Sequence, residues 1–422
     1  MTDDNPRVST PRLVARFARI FATVVCAALL AVPIVLSGLV TDGRAGVRRN
    51  GYRLLVRTLQ ALGPTFVKFG QISSTRRDTM PAELCEEMGR LHDRVRPLSP
   101  RRSRRVLREA GVEALAEVDT TPLASGSIAS VYRGSLHDGT PVAVKVKRPG
   151  IDAVMRADLA LLQGAVRLAQ KAPKLRGMPL ADLVGYMSRA ILGQLDFRQE
   201  AANARTLREC LAGVPEILVP SVYHELSTTD CLVFEYVPDL DANTPSELSH
   251  DTRVRLAGRT LTAVRQMFFT HGFVHCDLHP GNIYLTRDER VVVLDAGYCV
   301  RLPDRVRDLI GEFFMRLVFG DGRRCGEIVL ESAVDTSSVD REVFLQDMAD
   351  VVAEFAGPGN RLDMAEFGNA VFAVQQRHGI YAASDFAFPL MSLNVLDGTV
   401  RRFSEDVDLQ DVGRSSTPPR AA

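Results

Sequence analysis

The sequence predicts a two-lobed α+β enzyme preceded by a helical, partly apolar N-terminus. Three observations carry this expectation. Small and β-branched residues give the stretch from Thr121 to Val237 the largest share of strand-like runs. Helical texture dominates beyond it, and the segments richest in chemistry lie where one gives way to the other. At 422 residues the chain can hold two domains of ordinary size or one large enzyme with extensions, and its 46% hydrophobic and 24% charged residues are ordinary for a folded protein. A net charge of +1 offers no excess of Lys and Arg pointing to nucleic acid. The seven cysteines are scattered, odd in number and never spaced C-x-x-C, which argues against a disulfide framework or zinc knuckle and for a reducing compartment.

Ile20 to Val40, "IFATVVCAALLAVPIVLSGLV", runs 21 residues without a charge. At about 1.5 Å per residue it can cross a hydrocarbon core of about 30 Å, so a membrane helix is expected within 1–50; the bland alternative is a buried helix broken at Pro33. Arginines flank it on both sides, Arg7, Arg12, Arg16 and Arg19 against Arg44, Arg48, Arg49, Arg53 and Arg57, and set no orientation. Gly51 to Arg94 reads as helix interrupted at Gly63-Pro64, with a fresh start at Pro81. The run "RPLSPRRSRRVLREAG" reads as a solvated helix face or a lipid contact, the former being favoured. These segments form a helical extension over 51–115.

From 116 to 238 the expected order is strand, loop and strand, with Asp138-Gly139 as a turn. A helical stretch from Asp152 to Leu211 and two more strands, in "ILVPSVYHEL" and "DCLVFEYV", follow. A helical lobe over 239–411 holds a helix from Asp251 to Thr270, a hairpin near Tyr284 to Leu294, and helices beyond Arg305. The tail 412–422, ending in "GRSSTPPRAA", is expected to be disordered.

"GFVHCDLHPGNIYL" places His275, Asp277 and His279 at alternate positions, as if around a metal. Zinc wants three or four converging ligands with support behind them, and the Pro-Gly that follows argues for a loop. Phosphoryl transfer fits better. Asn282 follows Asp277 by five positions, the spacing of the H-R-D-x-x-x-x-N loop, and the next hairpin delivers Asp295 where a second metal-binding group belongs. Upstream, "VAVK" ends in Lys145 on a strand, with Glu200 as its natural acidic partner. "ASGSIASV" supplies Ala124, Ser125, Gly126 and Ser127, whose small side chains let backbone amides approach phosphates. "FEYV" resembles an inter-lobe hinge, with Glu235 and Val237 offering backbone to a base.

These motifs together resemble the UbiB/ADCK family of atypical protein-kinase-like proteins over roughly Gly63 to Leu409. "KFGQISSTR" is similar to that family's K-x-G-Q signature, giving Lys68, Gly70 and Gln71; "PLASGSIASVYRG" is similar to its alanine-rich loop, "HCDLHPGN" to its catalytic loop, and "LDFRQEAANA" to its E-x-D, E-A-x-N segment. The resemblance implies a protein-kinase-like fold with a small sheet lobe, a helical lobe and an N-terminal extension, in which Lys68 and Gln71 take the place of a protein substrate. It also implies ATP and Mg²⁺ as cofactors, Lys145, Glu200 and Asp277 as catalytic groups, and Asn282 and Asp295 on the metal. The partners implied are membrane lipids, isoprenoid quinone precursors or lipid-biosynthetic enzymes, with the kinase-like body cytoplasmic and membrane-associated. Three positions depart from the pattern: Gln194 stands for an acid, Ala296 for the aromatic of D-F-G, and Gly126 within the alanine-rich loop. A small-molecule phosphotransferase of the aminoglycoside or choline kinase type and an ATP-binding pseudokinase scaffold are the competing readings.

Overall fold

Described in a computed structural model, residues 10–74, 80–91, 97–172, 180–337, 339–355 and 363–407 divide into two compact units. The first comprises Met1–Thr140, Val144–Asp196 and Thr229–Cys231, the second Pro141–Ala143, Phe197–Thr228 and Leu232–Ala422. The expected disordered tail, 412–422, lies outside the described residues.

In the first unit helix α1, Thr10–Leu62, continues through Pro33 and breaks instead at Asp42 and Gly43, so the buried-helix alternative with its break at Pro33 is not what forms. Gly43 has φ of 58°, which a glycine adopts without steric cost. The two arms run antiparallel. The Asn50 amide donates to the Ile34 carbonyl at 3.1 Å, and Arg16 donates to the Leu62 carbonyl at 2.6 Å. Near the turn Gly38 and Gly46 touch so closely that a Cβ on Gly38 would fall 2.5 Å from the Gly46 oxygen. Within the first arm Thr10–Ile34 is long and apolar enough to cross a membrane by length and composition, and its most apolar stretch is not buried at all. Phe21, Leu29 and Leu36 are exposed along the arm, and Val40 keeps 87% of its surface.

Helix α2, Pro64–Ser73, starts with Pro64 in its first turn, where the missing N–H costs nothing. Helix α3, Ala82–Gly89, follows, and Val56, Met88 and Leu91 form a small core with Leu59 and Val67. Arg48 and Arg53 of the second arm pair with Glu83 and Glu87 of α3 at 2.6 and 3.6 Å. Helix α4, Pro100–Glu109, buries Ser103, Val106 and Leu107 and leaves Arg101, Arg102, Arg104 and Arg105 exposed.

The first unit's strands are β1 (Glu117–Val118), β2 (Ala124–Ser125), β3 (Ala129–Ser135) and most of β4 (Pro141–Lys147). β3 pairs antiparallel with both β1 and β2. The β3–β4 turn forms at Asp138-Gly139, with Gly139 at φ 84° and the Asp138 carboxylate accepting from Thr140 N–H at 2.9 Å. Helices α5 (Ile151–Ala169) and α6 (Leu180–Gly193) complete the unit around fully buried Tyr132, Met155 and Met187. Asp158 of α5, fully buried, accepts two hydrogen bonds from Arg16 and one from Thr65 at 2.6 Å, tying α1, α2 and α5 together.

The second unit opens with α7, Phe197–Leu211, and then β5 (Ile217–Leu218) and most of β6 (Cys231–Glu235). Helix α8, His250–Arg265, is capped by Ser249, whose side chain accepts from Thr252 N–H, and runs into one wider turn, Gln266–Thr270. Strands β7 (Phe273–His275), β8 (Ile283–Leu285), β9 (Val291–Val293) and β10 (Cys299–Arg301) follow. β9 pairs antiparallel with β8 and parallel with β5, while β10 pairs antiparallel with β7. The hairpin anticipated near Tyr284 to Leu294 is thus β8–β9. Five helices close the unit: α9 (Asp304–Val318), α10 (Gly322–Glu331), α11 (Arg341–Phe355), α12 (Met364–His378) and α13 (Ser384–Phe403). One continuous apolar core, including Leu207, Leu256, Ile310 and Phe344, supports the loop that β7 and β8 flank.

Candidate active site

β7 is buried along its whole length and carries His275 into the core at 1% exposure. Both ring nitrogens are committed: Nδ1 accepts the Asp277 N–H at 3.1 Å, and Nε2 lies 3.1 Å from the Leu294 carbonyl, to which it donates. The imidazole is therefore neutral, and burial holds its pKa below the usual 6.5. No lone pair is left for a metal. His275 instead pins the turn from which the Asp277 carboxylate, 28% exposed, emerges. His279 Nε2 lies 3.7 Å from that carboxylate, and its Nδ1 accepts the Gly281 N–H at 2.9 Å. A Cβ on Gly281 would sit 2.8 Å from the His279 ring, so a larger residue there would displace that ring. From behind, Thr399 on α13 donates its hydroxyl to the Leu278 carbonyl at 3.1 Å.

Asn282 is 7% exposed and donates its amide to the Asp277 carbonyl at 2.9 Å. That bond orients the side chain and leaves its oxygen with no hydrogen bond among the described residues. The Leu294 N–H donates to the Asn282 carbonyl at 2.7 Å, which ties the end of β9 to the start of β8. Asp295 then adopts φ 54° and ψ 70°, a left-handed conformation uncommon for a non-glycine residue, with its carboxylate accepting the Gly297 N–H at 3.2 Å. Asn203 donates to the Ala296 carbonyl at 2.9 Å and so fixes the turn that Asp295 begins. Glu200, 3% exposed, precedes Asn203 by three positions on α7 and shares its helix face. The Cys299 thiol, opposite His275 across the β7–β10 pair, is pushed well up by burial, and the charges of Asp295, Glu200 and Asp277 add to the rise. The second unit thus carries Glu200, Asp277, Asn282 and Asp295, three of which, Glu200, Asp277 and Asp295, act electrostatically on the Cys299 thiol. It also carries Glu235, whose backbone N–H and carboxylate both bond Ser221, at 2.8 and 3.1 Å, and buried Val237.

The first unit carries the remaining predicted positions. Ala124 and Ser125 form β2, and Gly126, with buried Ser127, turns the chain into β3. The turn is tight: Gly126 N–H donates to Ala129 at 2.8 Å, Arg148 donates to the Gly126 carbonyl at 2.7 Å, and the Ser125 and Ser130 hydroxyls meet at 2.9 Å. Lys145 lies half-buried in β4; Lys147, two residues on, pairs with Asp230 at 2.6 Å and Asp152 at 3.2 Å. Lys68 and Gln71 lie on α2, where the Gln71 amide donates to the Leu91 carbonyl at 3.0 Å. Gly70 admits the Leu91 side chain, since a Cβ there would lie 2.5 Å from it. Gln194 is buried, and its amide nitrogen has no hydrogen-bond partner among the described residues, where an acid would carry no N–H.

Arg148 and Thr399 were not singled out from sequence, and Asn203 entered only as the asparagine of the E-A-x-N resemblance, with no role assigned. Asn203 was within reach, standing three residues after Glu200 in a helix; Arg148 and Thr399 act on carbonyls distant in sequence and leave no local signal.

The model of the ABC1 atypical kinase-like domain matches residues 90–329, more than half of the chain. The chain belongs to the ABC1/UbiB family. A "Probable protein kinase UbiB" of Azotobacter vinelandii is 32% identical over 366 residues, 83% of this chain and 68% of the relative. The chloroplastic "Protein ACTIVITY OF BC1 COMPLEX KINASE 7" of Arabidopsis thaliana is 29% identical over 377 residues, 86% of this chain and 53% of that one. Among solved structures, the Rv3197–erythromycin complex of Mycobacterium tuberculosis matches with a TM-score of 0.55 and 22% identity, covering 84% of this chain and 92% of that one. That likeness is of fold, and it agrees with the kinase-like α+β architecture expected. As a member of the ABC1/UbiB family, the chain is an atypical kinase-like protein.

Proposed function

We propose that this ABC1/UbiB protein is a membrane-associated atypical kinase or ATPase that uses Mg-ATP in isoprenoid quinone or other lipid metabolism. The observation that carries the reading is the pairing of Asn282 and Asp295: an amide oxygen turned free by the bond to Asp277, and a carboxylate held in a left-handed turn. Two hard oxygen donors suit Mg²⁺ rather than zinc. Magnesium would neutralise phosphate charge; Asn282 and Asp295 would hold it, and Lys145 would draw off charge from the phosphates. The carboxylate of Asp277 would accept the proton of an attacking hydroxyl or water, with His275 and Asn282 keeping it in place. Ala124 to Ser127 would offer backbone amides to phosphate, and Glu235 and Val237 would border the base. Lys68 and Gln71 would occupy the place of a protein substrate, favouring a lipid-linked acceptor or hydrolysis.

Membrane association rests on the first arm of α1, whose apolar side chains lie open while Arg48 and Arg53 of the second arm are engaged with α3. Membrane lipids or isoprenoid quinone precursors are the partners such an arm would bring near, with the kinase-like body on the cytoplasmic side where ATP is.

The test is ATP turnover by the purified full chain, in detergent and on vesicles with and without isoprenoid lipids. Asp277→Asn is expected to cut turnover by about 10²–10⁴-fold, the usual worth of a positioned base, while Mg-ATP binding survives. Turnover unchanged by Asp277→Asn would leave a nucleotide-binding scaffold as the reading, which the uncompensated Gln194 amide would suit.

A further inference from the structure

A cavity of about 250 Å³ opens in the second unit between the start of α8, strand β8 and the end of α13. Two arginines line it, Arg253 and Arg402, and their surroundings set them apart. On the same helices Arg255 pairs with Glu216 and Glu289, Arg259 with Glu216, and Arg401 with Asp397 and Asp363. Arg253 and Arg402 have no ion pair or side-chain hydrogen bond among the described residues, and the Arg253 Nε is buried without a partner. A buried guanidinium N–H left unbonded costs free energy that a bound acceptor would return. Two such forks on one cavity are matched to phosphate, which takes planar, bidentate donors.

The rest of the lining narrows the ligand. Asp241, Asn243 and Ser246 stand at the rim, and Asp241 accepts the Asn243 N–H at 2.8 Å. A carboxylate beside an anion site disfavours a bare polyanion and favours one carrying hydroxyl donors. Ile283, Leu285 and Phe403 give the floor an apolar surface. The volume is below the 300–1,000 Å³ of pockets that enclose a drug-sized ligand, so a compact group fits and a whole nucleotide or lipid does not.

We propose that this cavity binds a phosphate-bearing polyol, with Arg253 and Arg402 on the phosphate and Asp241, Asn243 and Ser246 on its hydroxyls. The proposal goes beyond the ATP reading and uses none of its residues. The same chemistry is found in a soluble polyol phosphate and in a glycerophospholipid headgroup.

Calorimetric titration of the full chain in detergent with glycerol 3-phosphate tests it, glycerol serving as the blank. Saturable binding is expected, weakened at least tenfold by Arg253→Gln and by Arg402→Gln, and unchanged in Asp295→Asn, so that loss of the ATP reading leaves this result standing. Arg402 is exposed, so its variant keeps the test valid should Arg253→Gln unfold. In a second arm, flotation with phosphatidylglycerol vesicles is compared with phosphatidylcholine vesicles. An Arg402-dependent preference for phosphatidylglycerol without binding of free glycerol 3-phosphate assigns the site to a lipid headgroup. Binding of neither probe, or binding that survives both arginine replacements, overturns the proposal.

Discussion

Replacing Arg16 with Met should destabilise the first unit strongly, because it strands a carboxylate. Asp158 has no exposed side-chain surface and Arg16 only 12%. Of the three hydrogen bonds on that carboxylate, two come from Arg16, and only the 2.6 Å bond from Thr65 would remain. Breaking a buried pair from one side costs about 3–5 kcal/mol, since the surviving charge is neither solvated nor compensated. At roughly 2–4 °C per kcal/mol for a body of 150–250 residues, the midpoint should fall by about 6–20 °C. Replacing both partners with apolar residues, Arg16→Met with Asp158→Leu, removes the stranded charge and should restore most of the loss. The chain has no tryptophan, so the transition is best followed by circular dichroism or calorimetry in detergent. A double variant as unstable as the single one, or a single variant within about 2 °C of the parent, would refute the reasoning. Since Thr65 belongs to α2, the same loss should loosen the helix that carries Lys68 and Gln71.

Two further outcomes follow from the second unit. Asn203→Ala removes the donor to the Ala296 carbonyl, a loss of about 1–3 kcal/mol, and should weaken Mg-ATP binding measured by calorimetry while Asn203→Asp, which sets oxygen against oxygen, does worse. Arg324 bonds Glu312, Glu327 and Glu331 at 2.8, 3.1 and 2.7 Å and holds the Glu312 carboxyl below its usual 4.5, so this contribution is present above that value and lost as pH falls through the lowered one. Arg324→Gln should therefore flatten the fall in stability below about pH 4.5 in acid unfolding followed by circular dichroism; an unchanged slope would count against it.

What was readable in the sequence was local. Asp277 and Asn282 stand five apart in one loop, Asp138-Gly139 announces its own turn, and β8 and β9 are joined by a short charged turn. The antiparallel return of α1 was less legible, because the break at Asp42 and Gly43 and the close approach of Gly38 to Gly46 leave no periodicity in the sequence that points to them. Least legible were the pairings of residues far apart in the chain: Arg16 with Asp158, Asn203 with Ala296, Thr399 with Leu278. Such pairs are settled by how elements pack, and neither member carries a periodicity that points to the other. Gln71 shows the same limit, since its bond to the Leu91 carbonyl depends on where the segment after α3 returns.

The most direct test of the central claim is equilibrium binding of ATP to the full chain with and without Mg²⁺, for the parent and for Asp295→Asn. The account predicts saturable, magnesium-dependent binding that Asp295→Asn weakens at least tenfold. Equal affinity in the variant, or binding indifferent to magnesium, would contradict it.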